Sequence, residues 1–334
     1  MERRKLSIAK CWVARIGLGG IPIQRNDVVD CIKLVDYLEE EGVNFIDTAR
    51  GYTCSEEYLG EALKGRRDKF IIATKSMART YDLMKRDIEI SLNNLQTNYI
   101  DLYQIHNLKS TDEYDVVMSD KGAYKALLEA KEKGLIGSIG ITSHSSDFLN
   151  KVLDDNLFQT IQFPYNIVED KNKELFKKAH DKGIVTICMK PLAGGAIDNG
   201  QVALKFLLND ENVDIIIPGM KDQKEAKVNI SAEKGEYTQQ EKDYIEKIKM
   251  ELNNDFCRRC GYCLPCTKGI DIPSCFMFQG YFERYDLKDW AISRYEAMKV
   301  HASDCVNCGK CLKRCPYSLN IPKKLQEVVR DFGK

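Results

Sequence analysis

Eight cysteines near the C-terminal end of the chain have the spacing of iron–sulfur ligands. They are Cys257, Cys260, Cys263, Cys266, Cys305, Cys308, Cys311 and Cys315. The second run reads C-x2-C-x2-C-x3-C and is followed by Pro316, whereas the first has a last gap of two residues and is followed by Thr267. Three cysteines at this pitch hold one face of a four-iron cube, and a fourth before a proline ligates the other cube in two-cluster proteins. The sequence therefore predicts two [4Fe–4S] clusters.

The two runs are expected to exchange their fourth cysteines. One cluster would be held by Cys257, Cys260, Cys263 and Cys315, and the other by Cys305, Cys308, Cys311 and Cys266. The short gap before Cys266 leaves this exchange open. Structural zinc prefers two C-x2-C pairs, which two complete four-cysteine runs match poorly. Disulfides would need an oxidising compartment, and the charged stretch at residues 1–5 lacks the apolar segment of an export signal.

Charge and hydropathy argue against two classes of partner. The chain has 334 residues, with Lys+Arg and Asp+Glu both at 50, so its formal net charge is zero. This balance shows no basic excess that would favour nucleic acid or an anionic membrane. No apolar run approaches the roughly 18 residues of a membrane-spanning helix. We therefore expect a cytoplasmic protein whose partners include neither nucleic acid nor a membrane.

Short apolar runs alternate with amphipathic stretches from residue 15 to about residue 230. The eight runs are Arg15–Leu18, Asn44–Asp47, Phe70–Thr74, Ile100–Ile105, Ile136–Ile141, Thr160–Phe163, Ile184–Met189 and Asp214–Ile217. Several helical stretches end at a glycine, as at Gly42, Gly134 and Gly183. Eight strand–helix units predict an α/β fold of the (β/α)8 TIM-barrel type. A doubly wound sheet is the alternative, but no G-x-G-x-x-G motif follows an early strand, and residues 17–20 look like a tight glycine turn.

Polar residues follow the predicted strands at the end where TIM barrels place their active sites. Asp47 and then Tyr52 follow the second run, Lys75 the third and His106 the fourth. A tyrosine hydroxyl has a pKa near 10, and a neighbouring ammonium lowers it. A carboxylate would keep the lysine charged, and a histidine would donate a hydrogen bond to the same carbonyl oxygen. The set fits carbonyl reduction, although residues of these types also form ordinary salt bridges at strand ends.

Three segments resemble the motifs of the aldo-keto reductase family. They are Asp47–Tyr52 with Ser55–Gly60 after it, Ile72–Lys75 and Ile100–His106. The resemblance implies a (β/α)8 barrel, a nicotinamide cofactor bound without a Rossmann fold, and a tetrad in which Tyr52 donates the proton. The fusion to a two-cluster, ferredoxin-like module resembles the iron–sulfur branch of that family.

The resemblance also implies six cofactor-binding residues. They are Thr142, Ser143, Gln162, Lys190, Gly219 and Asn229. The first three correspond to contacts of the nicotinamide carboxamide, Lys190 to the pyrophosphate and Asn229 to the adenine. Gly219 and Met220 stand where NADP-dependent members carry Lys-Ser, and Glu225 would repel a 2′-phosphate. NAD and NADP both stay open. FMN is a further alternative, because a flavin links hydride transfer to one-electron steps.

These features support three hypotheses. The first is an NAD(P)-dependent aldo/keto reductase that reduces a small carbonyl substrate or oxidises an alcohol. The second is a ferredoxin-linked reductase, in which the clusters relay electrons between ferredoxin, or another carrier, and a flavin or substrate in the barrel. The third is a cluster-based redox sensor with a degenerate barrel, and the intact tetrad argues against it.

The predicted domain order is a barrel, a linking helix and a cluster domain. The barrel spans residues 1–235, the helix residues 236–254 and the small, α-rich, ferredoxin-like domain residues 255–334. Thr238 and Glu241 have the spacing of a capping box at the start of the linking helix. The aromatic segment Phe276–Met298 is expected to pack as a core rather than to form a docking surface. Residues 109–119 are expected to form a loop.

Overall fold

The chain folds into two compact units. The computed structural model describes residues 1–252, 257, 263–284, 287–315 and 318–334. The first unit comprises residues 1–193 and 199–236, and the second comprises residues 194–198 and 237–334. Which boundaries delimit independently folding domains stays a prediction. Within the described ranges, no helix combines the length and the apolar character needed to cross a membrane.

A parallel eight-stranded barrel forms the centre of the first unit, and an antiparallel hairpin of β1 (Arg3–Lys5) and β2 (Trp12–Ala14) precedes it. The barrel strands are β3 (Leu18–Gly19), β4 (Phe45–Asp47), β5 (Ile71–Ser76), β6 (Ile100–Ile105), β7 (Ile136–Thr142), β8 (Thr160–Pro164), β9 (Val185–Met189) and β10 (Ile215–Ile217). The strands pair in chain order. Backbone bonds from Gly17 N to Ile216 O and from Ile216 N to Arg15 O join the first strand region to the last. The predicted TIM barrel is confirmed.

The glycine-rich segment at residues 17–20 is the first barrel strand region and not a tight turn, so that prediction is wrong. A Cβ on Gly19 would lie 2.7 Å from the carbonyl oxygen of Ile217, and a Cβ on Gly17 would lie 2.9 Å from that of Phe45. The absence of side chains lets this segment approach both neighbouring strands and close the barrel.

Nine helices of the first unit can be assigned in the described residues. They are α1 (Val28–Glu40), α2 (Ser55–Ala62), α3 (Tyr81–Asn94), α4 (Thr111–Met118), α5 (Ala123–Glu132), α6 (Ser146–Val152), α7 (Lys173–Asp181), α8 (Gly200–Leu208) and α9 (Gln223–Ile230). The predicted glycine ends are confirmed, since Gly42, Gly134 and Gly183 have φ values of +77°, +70° and +72°. Residues 109–119 were expected as a loop, but α4 occupies most of them, and Ser110 caps it by accepting from the amide of Glu113.

Apolar side chains fill the barrel at the end opposite the strand carboxyl ends. The hairpin region contributes Leu6, Ile8 and Val13, which pack against inward-facing residues such as Leu102 and Ile187. Because side chains alternate along a strand, the next inward positions on β5 and β6 are Lys75 and Gln104, both buried. The apolar half therefore supports a polar layer at the carboxyl end.

The second unit is helical in its described residues. Its helices are α10 (Gln239–Leu252), α11 (Ile272–Arg284), α12 (Lys288–Glu296), α13 (Lys310–Arg314) and α14 (Ile321–Phe332). At the start of α10, the Thr238 amide donates to Glu241 at 2.7 Å and the Glu241 amide to the Thr238 hydroxyl at 3.2 Å, as the capping box requires. Phe276, Phe278 and Tyr295 are buried in one core with partly buried cluster cysteines packed against it. The expected aromatic core is present.

Candidate functional site

Three neighbouring strands deliver charged and titratable side chains to one end of the barrel. Asp47 ends β4, Lys75 is the second-last residue of β5, and His106 directly follows β6. Tyr52 lies in the turn between β4 and α2, where its amide donates to Ala49 O at 2.9 Å and its carbonyl accepts from the Ser55 amide at 2.8 Å. The parallel register places the strand ends side by side.

Lys75 and Asp47 form a buried ion pair. The Lys75 ammonium lies 2.6 Å from Asp47 Oδ2, and the two side chains are only 1% and 3% exposed. The ammonium also donates to the carbonyl oxygen of Thr48 at 2.8 Å. Burial lowers the pKa of Lys75, whereas the Asp47 carboxylate opposes that shift. Burial likewise raises the pKa of Asp47, against the opposing effect of Lys75. The charge on this lysine therefore depends on its carboxylate partner.

The tyrosine and the histidine lie next to this pair. The Lys75 ammonium is 5.1 Å from the centroid of the Tyr52 ring. The rings of Tyr52 and His106 meet edge to face, with centroids 6.2 Å apart and an interplanar angle of 85°. The structure thus brings together all four residues of the predicted tetrad, and their catalytic roles stay a proposal.

His106 is electrically neutral in this environment. Burial lowers its pKa to about 3, and the positive charges of Lys75, Arg79 and Lys190 act in the same direction. Its Nδ1 is buried and has no hydrogen-bond partner among the described residues. The guanidinium of Arg79 donates to the carbonyl oxygens of His106 and Asn107 at 3.0 and 3.1 Å, which holds the backbone beneath the ring. A neutral imidazole can donate one N–H to a ligand and competes poorly as an acid.

A buried amide pair extends the polar layer, and the sequence interpretation missed half of it. Gln104 donates to Gln162 Oε1 at 2.9 Å and reaches Asp47 Oδ1 at 3.5 Å. Gln104 Oε1 itself is buried without a partner in the described structure. The signal was available, because Gln104 lies two residues before His106 and strand side chains alternate with a period of two. Its unpaired oxygen lies within the polar layer.

Thr142 and Ser143 lie at the end of β7, but internal contacts occupy their hydroxyls. Thr142 Oγ1 accepts from the amide of Asn107 at 2.7 Å. Ser143 Oγ donates to Leu108 O at 2.6 Å and accepts from the Ser145 amide at 3.0 Å. Both residues therefore tie the loops after β6 and β7 together.

The remaining predicted cofactor residues follow β9 and β10 or lie in α9. Lys190 follows β9 with φ of +56°, and its ammonium lies 3.5 Å from Nδ1 of His144. Gly219 follows β10, and a Cβ there would lie 2.8 Å from the Pro22 ring. Asn229 is buried in α9, 3.3 Å from the position that a Cβ of Gly200 would take. The last two barrel strands are a frequent location of phosphate sites in this architecture.

Five of the described cysteines of the second unit line one cavity that opens to the surface. They are Cys263, Cys266, Cys305, Cys308 and Cys311. No three Cys, His, Asp or Glu side chains of the described residues are grouped so as to hold a single metal ion. All described cysteines are free thiols. A cavity walled by several thiols suits a multi-iron cluster. Both Cys263 and Cys266 of the first run line it together with the second run, so the exchange of fourth cysteines stays a prediction.

The other three predicted cluster ligands are Cys257, Cys260 and Cys315. Cys260 lies outside the described residues. Cys257 and Cys315 are half-buried and pack against the same core. Thr267, which takes the place of the usual proline after the fourth cysteine, has its hydroxyl 3.2 Å from the sulfur of Cys308.

Comparison with known proteins separates the chain into the same two parts. Residues 15–201 match the aldo/keto reductase family, and residues 256–320 match the 4Fe-4S dicluster domain. The uncharacterized oxidoreductase YqkF of Bacillus subtilis (strain 168) is 26% identical over 213 residues, which cover 59% of this chain and 67% of the relative. The aldo-keto reductase YhdN of the same organism is 30% identical over 217 residues, covering 59% of this chain and 64% of the relative.

Solved structures are similar to the barrel. The aldo-keto reductase AKR11C1 from Bacillus halodurans, in its holo form, superposes with a TM-score of 0.64 at 25% sequence identity. The superposition covers 74% of this chain and 96% of that structure.

Proposed function

The chain belongs to the aldo/keto reductase family and carries a C-terminal 4Fe-4S dicluster domain, and from this premise we propose that its barrel interconverts a small carbonyl compound and the corresponding alcohol with NAD(P)H. The observation that carries the proposal is the buried Lys75–Asp47 pair beside the rings of Tyr52 and His106. An isolated salt bridge does not require a tyrosine and a neutral histidine at its open side.

Tyr52 is the proton donor in this proposal. A bound nicotinamide would supply the hydride that adds to the carbonyl carbon. Negative charge then develops on the carbonyl oxygen, and the Tyr52 hydroxyl transfers its proton there. The Lys75 ammonium, held by Asp47, stabilises the tyrosinate that results. In alcohol oxidation the proton returns to Tyr52 by the reverse path.

His106 orients the carbonyl group. Because its imidazole is neutral, it offers one N–H as a hydrogen-bond donor and has little tendency to release that proton. A donor placed at the oxygen stabilises charge that forms in the transition state. Arg79 acts on the histidine through its backbone, so we assign it a positioning role.

The ends of β7 to β10 fit a nicotinamide dinucleotide in part. Gln162 has its amide in the polar layer beside Gln104, whose buried oxygen lacks a partner in the described residues. Lys190 would supply positive charge for the pyrophosphate, and Asn229 would lie at the adenine. Glu225 lies one helical turn before Asn229 in α9, and its carboxylate accepts a hydrogen bond from the Lys221 amide at 2.9 Å. A carboxylate there disfavours a 2′-phosphate, so we propose a preference for NAD over NADP.

The dicluster domain would hold two [4Fe–4S] clusters that transfer single electrons. One would be ligated by Cys257, Cys260, Cys263 and Cys315, and the other by Cys266, Cys305, Cys308 and Cys311. Exposure of Cys308 favours a second candidate function, in which the clusters exchange electrons with a soluble carrier. Linking single electrons to hydride chemistry calls for a flavin, and flavin released from the protein would identify that case.

The test of the barrel chemistry uses Tyr52→Phe in protein purified without oxygen. Turnover of a panel of small aldehydes, ketones and quinones with NADH and NADPH is measured, together with cofactor binding by fluorescence. We expect Tyr52→Phe to lose roughly two or more orders of magnitude in kcat while cofactor affinity stays unchanged, because only the proton donor is removed. Tyr58→Phe, on the adjacent helix, serves as the matched control. Equal turnover by wild type and Tyr52→Phe would refute the proposal.

A further inference from the structure

The cysteine cavity of the second unit opens onto a basic surface. Three apolar side chains near it are solvent-exposed: Leu264 by 36%, Val306 by 57% and Leu312 by 40%. Three exposed lysines accompany them, namely Lys268, Lys310 and Lys313. We call these six residues the basic face. Cys308, a predicted cluster ligand, is itself exposed and lines the same cavity as Val306 and Lys310.

The positive charge here is a local excess in a chain with no net charge. Between residues 305 and 326 the cations are Lys310, Lys313, Arg314, Lys323 and Lys324, and that stretch has no Asp or Glu. Within the described residues, neither the three lysines of the basic face nor Arg314 forms an ion pair with a carboxylate. Arg314 instead donates to the carbonyl oxygen of Pro265 at 2.9 Å, which joins α13 to the loop carrying Leu264.

Two acids that flank the basic face in the sequence form local hydrogen bonds. Asp271 accepts from the amide and hydroxyl of Ser274 at the start of α11. Asp304 accepts from the amide of His301 at 2.8 Å. Both side chains cap local structure, and neither pairs with a lysine of the basic face in the described structure. The three lysines of the basic face therefore remain without an ion-pair partner in the described structure and are exposed to solvent.

We infer that the basic face is the docking site of an acidic one-electron carrier protein, which exchanges one electron with the cluster held by Cys266, Cys305, Cys308 and Cys311. The inference rests on the iron–sulfur function proposed above. In the step tested here the reduced carrier loses one electron and the cluster gains it, and no covalent bond forms or breaks. An exposed ligand shortens the path for the electron, exposed apolar side chains supply a dry contact, and the lysines attract the partner.

The experiment uses the full-length protein, purified without oxygen, and reduced plant-type [2Fe–2S] ferredoxin as the acidic carrier. The double variant Lys310→Glu/Lys313→Glu reverses two charges on the basic face. Lys85→Glu/Lys125→Glu makes the same change in net charge on two exposed lysines of the barrel helices α3 and α5. Stopped-flow absorbance gives the second-order rate of ferredoxin oxidation, and calorimetry with oxidised ferredoxin gives the affinity.

We expect the basic-face variant to react at least about tenfold more slowly at low ionic strength, because steering by charge changes association rates by this order. The barrel variant should match the wild type. At about 1 M salt, where the Debye length is about 3 Å, all three proteins should react at similar rates. With a basic c-type cytochrome as the oxidant of the reduced clusters, the basic-face variant should be the faster protein.

Iron content and the electron paramagnetic resonance spectrum of photoreduced protein distinguish a failure of the proposed cluster function from a failure of the docking inference. Protein that holds no iron–sulfur clusters would overturn both the proposed cluster function and this inference. Intact clusters that react with ferredoxin independently of salt and of Lys310 and Lys313 would overturn the inference alone. An equal loss in the basic-face and barrel variants would also overturn it, because net charge and not the surface would then set the rate.

Discussion

Replacing Asp47 with asparagine removes the buried counter-charge of Lys75 while keeping an oxygen in the same place. With 2.6 Å between the charged atoms, Coulomb's law at an effective dielectric constant of about 20 gives an interaction of about 6 kcal/mol. Releasing a proton from an ordinary lysine at pH 7 costs about 4.6 kcal/mol, since its pKa is about 10.4. The attraction to Asp47 that Lys75 loses is larger than the free energy needed to deprotonate an ordinary lysine. Burial disfavours the charged form of Lys75 further. We therefore expect Lys75 to be neutral near pH 7 in Asp47→Asn.

A neutral Lys75 cannot stabilise the Tyr52 anion, so carbonyl turnover should fall. We expect kcat near pH 7 to decrease by about 10²-fold or more, the usual contribution of a general acid. The sign of the pH dependence is fixed by the protonation of the lysine. Its charged form is restored as the pH falls, so the variant should regain activity towards acidic pH. Folding should survive, because the lysine releases its proton instead of remaining as an unpaired buried charge.

The assay follows NAD(P)H oxidation with the best carbonyl substrate of the panel from about pH 6 to about pH 9. Asp101→Asn is the matched control, because Asp101 pairs with Arg67 at 2.7 Å and lies away from the tetrad. The control should keep the turnover and the pH profile of the wild type. A wild-type pH profile in Asp47→Asn, with intact iron content and thermal stability, would show that Asp47 does not control the charge of Lys75.

Two further predictions concern one residue in each unit. Burial lowers the pKa of His106 to about 3. Between about pH 6.5 and pH 3, this histidine therefore binds a proton in the unfolded chain but not in the folded chain. The free energy of unfolding falls as the pH falls through this window. Relative to His106→Asn, the wild type should lose about 1 kcal/mol more stability on going from about pH 6.5 to about pH 5.5. Equal shifts in the thermal midpoints of the two proteins would contradict this. The Thr267 hydroxyl lies 3.2 Å from Cys308 Sγ, and a hydrogen bond to a cluster sulfur favours the reduced state. Thr267→Val should therefore lower the reduction potential of that cluster by about 20–65 mV, which corresponds to a hydrogen bond of about 0.5–1.5 kcal/mol. A redox titration followed by electron paramagnetic resonance measures this potential. Thr267→Ser keeps the hydroxyl and should keep the potential.

Residue type and spacing along the chain determined the family, the barrel and the cluster domain. Eight apolar runs separated by amphipathic stretches predicted eight strands, because a buried parallel strand is apolar and the crossover to the next parallel strand needs about a dozen residues or more. The C-x2-C-x2-C-x3-C run predicted a cluster domain, because the pitch of the ligands is set by the cube and is local in sequence. The positions of Asp47, Tyr52, Lys75 and His106 after strands placed them at one end of the barrel, and the resemblance to the aldo-keto reductase motifs selected them as a set.

Contacts between residues distant in sequence were decided only by the tertiary structure. The glycines at residues 17–20 form a strand because β10, some 200 residues away, supplies their backbone partners. The Ser143 hydroxyl donates a hydrogen bond to the carbonyl oxygen of Leu108, from which two helices and a strand separate it in the sequence. His106 is uncharged and Gln104 pairs with Gln162 because folding excludes water from this end of the barrel. The spacing of residues along the chain does not determine how deeply they are buried. The basic face likewise depends on the folding of the two cysteine runs around one cavity, which brings Lys268 and Lys310 to the same cavity as the exposed thiol of Cys308.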